Sequence, residues 1–495
     1  MGTTMAAPVH IPTPWGTRAR AGVVPPWMIV LGAAGAAALT GSAMTVDVRL
    51  GIGAALGIAY VPIVLINLQL AIVLWIPFSF LIAADPMNAG PLGGVMIVVA
   101  WAGALAVRGS EVAALVVEHR NLLICVAALV LWVMTSMAWA QEAPIGESVF
   151  FEWIAAALVV LVISTALTSP RYLRLAAAAF VLGAVISVAL GLVGGAVQTT
   201  ELDRAVGGIG DANVLAAGIM PAIVVAAGLA AGSRRFGVGL LVLIAVVVLT
   251  IGLVATGSRG GFVAGLVGAA AMLALGRGHR AGLVVLLLCV IGAAAAWFSV
   301  DTAAWERVSD ISGGGTGTGR SELWATAWQM WQDHPLVGVG LEAFRDNASS
   351  YVRELGPIEF ASFLVEQPKV VHNTYLQLLA ETGILGLALY LVVIFSSIRL
   401  AWRAALLFER IGDLSMATLS RAVIGALVAM LAGITFISAA SDRRLWILLA
   451  LGPALFASAK LQARRMGLDA SSVISQRRAR RLRAARPPWT ARQIP

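Results

Sequence analysis

The chain has 495 residues, 60% of them hydrophobic and 12% charged, whereas a water-soluble globular protein carries about a quarter of its residues charged. The composition excludes a soluble enzyme and describes a polytopic membrane protein, long enough for a dozen or so spans of about 20 residues and one sizeable loop. The net charge of +9 is a local property: residues 461–495 hold nine arginines against one acid, so it indicates a basic tail on anionic lipid, or a disordered arm, and no nucleic-acid partner. Cys125 and Cys289 both lie in apolar runs, which excludes a disulfide framework and a thiolate zinc site.

Residues 1–25 form an arm with Arg18 and Arg20 and no small-residue cleavage site, so the first span is expected to be an uncleaved anchor. Apolar windows follow at 26–46, 50–66, 69–85, 91–107, 121–140, 148–167, 173–197, 212–232, 236–256, 261–276 and 281–299. After one long loop they resume at 383–399, 420–440 and 444–459, which makes fourteen candidates. The second and third are short and proline-interrupted before Pro86; read as a re-entrant hairpin they leave twelve. The expected fold is therefore an all-α transmembrane helix bundle with one long outer-face loop containing short helices. Its parts are an N-terminal arm 1–25, a bundle 26–299, an outer loop and catalytic segment 300–382, C-terminal spans 383–459 and a basic tail 460–495.

Both span counts are even, which puts both termini on one side. With that side cytoplasmic, 24 of the 34 Lys and Arg residues fall inside, as the positive-inside rule requires. The loop 300–371 and the turns 198–211 and 257–260 then face outward from the inner or plasma membrane, and the chemistry is expected there.

The polar features at that face are few. The turn before the 212–232 window holds Glu201, Asp203, Arg204, Asp211 and Asn213; Arg204 and Asn213 could meet a sugar or phosphate, while Asp211 reads as a helix cap. The three carboxylates are read as solvated turn residues and not as a hard-metal site. Gly257-Ser258-Arg259-Gly260-Gly261 joins two spans, its glycines allowing a ligand close approach; alternatively Arg259 snorkels to headgroups. Ser312–Gly319 is a flexible hinge, after which Ser321 is expected to cap a helix bearing Leu323, Trp324, Ala327, Trp328 and Trp331 until Pro335 stops it. Arg320 beside that helix N-terminus makes a natural anion site, or pairs with Glu322 or a headgroup. Finally, His372-Asn373-Thr374-Tyr375 leads into Gln377 and Glu381, and Asn373, Gln377 and Glu381 share one helical face that could line a cavity. His372 is the one histidine of five with such a setting, although a lone histidine is more often structural.

Arg320-Ser321-Glu322-Leu323-Trp324, His334 to Gly340 (HPLVGVG), His372-Asn373-Thr374-Tyr375-Leu376 and Glu381 to Gly386 (ETGILG) together resemble the signature region of the O-antigen ligase and polymerase family. Gly210 to Ala216 and Gly257 to Gly261 resemble further elements of it, so the likeness covers about residues 204–390. The resemblance implies a GT-C-like membrane glycosyltransferase. Such an enzyme takes a glycan from a polyprenyl-pyrophosphate lipid and joins it to a hydroxyl of a glycan, lipid or protein acceptor, without cofactor or metal and with inversion. It implies His372 as base, Arg259 and Arg320 as pyrophosphate ligands, and Arg204, Asn213, Asn373, Tyr375 and Glu381 as possible substrate contacts. The chemistry agrees: two guanidiniums stabilise a diphosphate leaving group, and they disfavour an imidazolium, keeping His372 able to accept a proton.

Two other readings stay open. A repeat-unit polymerase would act on two lipid-linked glycans. A flippase or transporter of lipid-linked sugars would need ionisable groups at mid-membrane, of which the spans carry almost none beyond Glu152 and Glu381.

Overall fold

The computed structural model describes residues 26–82, 84–85, 88–107, 109–140, 147–193, 205–233, 235–275, 320–354 and 370–468. Arg204, Glu201, Asp203, the arm 1–25, the window 281–299, the hinge and most of the tail lie outside these residues. Every described element is helical. In chain order they are α1 (Pro26–Val46), α2 (Val48–Ile66), α3 (Leu68–Trp75) with a 3₁₀ turn Ile76–Phe80, α4 (Ala89–Val107), α5 (Gly109–Glu118), α6 (Arg120–Ser136), α7 (Glu147–Ala166) and α8 (Pro170–Val193). Then come α9 (Ala212–Ala231), α10 (Phe236–Thr256), α11 (Arg259–Leu275), α12 (Arg320–Asp333), α13 (Phe344–Glu354), α14 (Thr374–Arg410), α15 (Leu414–Gly433) and α16 (Arg443–Arg465).

Among the described residues eight helices are long and apolar enough to cross a membrane: α4, α7, α8, α9, α10, α14, α15 and α16. Shorter apolar helices lie within α1 and α2, in α3 with its 3₁₀ turn, and in α6 and α11. The third window does not turn back on itself. Asn67, before α3, bonds the Tyr172 hydroxyl at the start of α8, and after the 3₁₀ turn Ala84 donates to the Gly208 carbonyl, whose own amide reaches Ser187 near the end of α8. That run spans about 22 Å of α8.

Three boundaries depart from the hydropathy reading. α15 ends at Gly433, so the last residues of the 420–440 window form a loop, 434–442. Ile434, Phe436 and Ile437 are apolar enough to hide that end, and two of their carbonyls are taken by Thr374: its amide bonds Ile434 at 3.0 Å and its hydroxyl Ile437 at 2.7 Å. α12 begins at Arg320, so Ser321 lies inside the first turn, where its hydroxyl meets the Glu322 carboxylate at 2.9 Å instead of capping the helix. α5 fills a stretch read as an inner loop, and Arg421 sits within α15, buried and paired with Glu409.

The innermost helices are α9, α15 and α16, which bury most of their residues, whereas α4 and α10 bury under a quarter and turn large apolar side chains outward. Lipid tails are as apolar as leucine, so helices in a membrane associate through close backbone approach at small residues. The core follows that rule: Gly228 of α9 lies on Ala422 of α15, and Gly268 of α11 on Ala429 of the same helix.

Candidate active site

The site is built around the loop 434–442, which crosses one end of the bundle between α15 and α16. On one flank it holds the start of α14: Ser438 Oγ accepts from the His372 amide at 3.1 Å, and Ala439 donates to the Thr374 hydroxyl at 3.0 Å. On the other flank Phe436 packs on Gly260 so closely that any side chain there would collide with it, which puts the turn at Arg259 against the same loop. Arg320 opens α12, and one turn later Trp324 Nε1 donates to the Val371 carbonyl at 3.1 Å, next to His372. Leu323, Ala327 and Met330 of α12 share a small apolar core with Phe344, Val371 and Ala380. Two segments distant in sequence therefore meet one loop, a third, α12, meets the second of them at Val371, and Arg259, Arg320 and His372 are all half-buried at this end.

His372 has a left-handed backbone, φ +53°. Such a conformation is uncommon for a side-chain-bearing residue and is met mostly at functional sites or turns. It turns the chain sharply into α14, whose N-cap is Asn373. The Asn373 side chain accepts from the Tyr375 and Leu376 amides at 3.0 and 3.1 Å, and the residue is buried. Tyr375 donates its hydroxyl to the Leu431 carbonyl at 2.9 Å. Both residues read as substrate contacts are thus engaged in fixing α14.

Glu381 has a similar position. It is buried, takes Gln377 Nε2 at 3.0 Å, and accepts from the backbone amides of Glu342 and Phe344. The amides of Val339 and Gly340 bond the carbonyls of Ala380 and Glu381 at 2.9 and 2.8 Å, and Ile384 donates to Pro335 at 2.9 Å. The polar face of α14 is therefore covered by segment 335–344. Gly338 and Gly383, both at positive φ, make this docking possible: a side chain on either would strike the backbone of the other segment. Gly383 also breaks α14 there (φ 66°, ψ −173°). Glu342 is a second carboxylate near this contact, and burial pushes its pKa up against the opposing pull of Arg345.

Asn213 is the second residue of α9, in the first turn at the same end of the bundle. Asp211 caps α9, its Oδ1 accepting from Val214 at 2.8 Å, as its setting in the sequence suggests. The Val214 carbonyl in turn accepts from Arg444 Nη1 at 2.9 Å, and Arg444, fully buried, pairs with Asp442 of the loop. Ser438, Asp442 and Arg444 escaped the sequence reading. Its available signal was the charged run Ser441-Asp442-Arg443-Arg444 between two apolar windows. Among the described residues no cluster of three or more His, Cys, Asp or Glu side chains is placed to hold a metal ion.

A family model described as O-antigen ligase matches residues 244–391. The match includes Arg259, Arg320, His372, Asn373, Tyr375 and Glu381, and it leaves out Arg204, Asn213 and the loop 434–442. No curated protein matches the chain. With eight helices among the described residues long and apolar enough to cross a membrane, the chain is a multi-pass membrane protein, and its residues 244–391 are similar to the O-antigen ligase family.

Proposed function

We propose that the protein is a metal-independent glycosyltransferase that moves a glycan from a polyprenyl-pyrophosphate lipid to an acceptor hydroxyl on the outer face of the inner or plasma membrane. The observation that carries the reading is the convergence of three separate segments: the Arg259 turn packs on loop 434–442 through Gly260, the His372 segment bonds the same loop through Ser438, and α12 bonds the His372 segment at Val371. In this reading Arg259 and Arg320 bind the pyrophosphate, and His372 accepts the proton of the acceptor hydroxyl. That oxygen attacks the anomeric carbon as the bond to the pyrophosphate oxygen breaks, so the configuration inverts and the electron pair leaves on the diphosphate. Two guanidinium forks offer paired donors to the oxygens on which this charge develops. Arg204 and Asn213 are proposed to contact the donor from the α9 side. Asn373, Tyr375 and Glu381 act by holding His372 and segment 335–344 in place.

The test is transfer by purified protein from a polyprenyl-pyrophosphate glycan in the presence of EDTA. Product with inverted anomeric configuration is expected. Activity that disappears in chelator and returns with magnesium or manganese overturns the metal-independent mechanism. Substituting Arg259 or Arg320 by Ala should weaken donor binding, with Lys restoring only part, because a point charge lacks the planar fork.

A further inference from the structure

A cleft on the far side of the same loop is not used by the transfer chemistry above. Between α4 and α7, over α3, the structure encloses a cavity of about 510 Å³. Its floor is Ile72 and Trp75, and the one polar group of that floor, Trp75 Nε1, is satisfied by the Gly90 carbonyl at 2.7 Å. Ala155 and Val159 line the α7 wall, which runs from Glu152 to Ile163, about 16 Å along the helix. Val95, Val99 and Phe151 line the cleft and are largely exposed, so it opens sideways on the face a bilayer would cover.

Two charged residues, Glu152 and Arg443, stand in this lining, both at one end. Glu152 accepts the Ser441 hydroxyl at 2.7 Å. Arg443 makes no ion pair among the described residues, and Gly90 beside it has no side chain to cover the guanidinium. The neighbouring Asp85 carboxylate is occupied by the Ala89 and Gly90 amides at 2.9 and 2.7 Å. Ser441 at this mouth and Ser438 at the His372 amide belong to one loop, three residues apart.

We propose that the α4–α7 cleft holds the polyprenyl chain of the donor, with Arg443 meeting the phosphate end at its mouth. This rests on the reading of the donor as a polyprenyl-pyrophosphate lipid. An apolar track whose one end holds Arg443, with the neighbouring Glu152 carboxylate taken up by the Ser441 hydroxyl, matches an aliphatic chain ending in an anion. A sugar or a peptide laid along it would leave hydroxyls or amides without partners.

The test uses the full-length protein in detergent or nanodiscs. Ala155→Trp and Val159→Trp fill the track, and Arg443→Gln removes the cation. Ala155→Trp and Val159→Trp should each raise KM for a full-length polyprenyl donor by about tenfold or more with kcat unchanged and leave a water-soluble geranyl-pyrophosphate donor unaffected, whereas Arg443→Gln should raise KM for both donors, because both carry the phosphate. Equal effects of the tryptophan variants on both donors, or no effect of any variant on the full-length donor, overturn the proposal while leaving glycosyl transfer intact. A second readout is independent of turnover: a photoactivatable polyprenyl pyrophosphate should label peptides of α4 and α7. Polyprenyl phosphate should compete with the labelling and phosphatidylglycerol should not. Equal competition by phosphatidylglycerol overturns the proposal and identifies a general phospholipid site. Specific labelling of α4 and α7 by a protein that forms no glycosidic product would leave the cleft assignment standing and remove the transfer reading alone.

Discussion

His372 combines a proposed proton acceptor with a left-handed backbone, and the two properties separate experimentally. Asn tolerates positive φ while lacking a basic nitrogen. His372→Asn should therefore fold with unchanged thermal stability and donor binding yet lose transfer by a factor of about 10² to 10⁴. Near-normal transfer by this variant would return the histidine to a structural role at the helix start. Glu381 makes the opposite prediction. Glu381→Ala leaves the buried amides of Glu342 and Phe344 without an acceptor, at about 1–3 kcal/mol for each group. Denaturation in detergent should show the loss, and Glu381→Gln should recover much of it. A third residue reports on pH. His119, in the turn between α5 and α6, has no hydrogen-bond partner on either ring nitrogen, and burial lowers its pKa to about 4, with Lys460 adding to the fall and Glu118 opposing it. Its ordinary value is about 6.5, so the unfolded chain takes up a proton that the folded one refuses. Stability should decline as pH falls from about 6.5 to about 4, by up to about 3 kcal/mol. His119→Phe should flatten that slope in melting curves.

At the scale of elements, hydropathy located the eight described helices that are long and apolar enough to cross a bilayer, because such a run has few other causes, but it was blind to where loop 434–442 begins. Ile434, Phe436 and Ile437 look like a continuing span; only the bonds from Thr374, some sixty residues earlier, define them as a loop. The same blindness hid Ser438 and Arg443, whose settings come from tertiary neighbours and not from their own stretch of chain. Arg259, Arg320 and His372 stand out in the sequence as polar groups among apolar spans, and the family model covers all three without assigning them a role. That Asn373, Tyr375 and Glu381 would be taken up by local structure was not legible, because spacing shows a shared face and not what covers it. The close approach of α9 to α15 supplies an element-scale prediction. Gly228→Leu should force the helices apart at Ala422 and lower the melting temperature, by an overpacking cost of about 1–3 kcal/mol, whereas Gly237→Leu, with open space around it, should not.

For the whole molecule, the proposed orientation is testable with one pair of positions. In a background lacking Cys125 and Cys289, Asp346→Cys on α13 and Met466→Cys after α16 are both exposed and lie toward opposite ends of the bundle. An impermeant maleimide should label the first on intact cells and the second only after the membrane is opened; the reverse pattern would invert the topology. The arrangement of burial also bears on how the protein is made. α16 is the last of the described helices to leave the ribosome, yet it is the most enclosed of the eight long apolar helices. The earlier helices must therefore enter the bilayer around a vacancy that only α16 can fill. Arg444 finds Asp442 and the Val214 carbonyl only once α9 is waiting for it. Until then the nascent bundle keeps its small-residue surfaces open to lipid and to quality control, so a chain stopped before residue 443 should be degraded rather than accumulate as a shorter membrane protein.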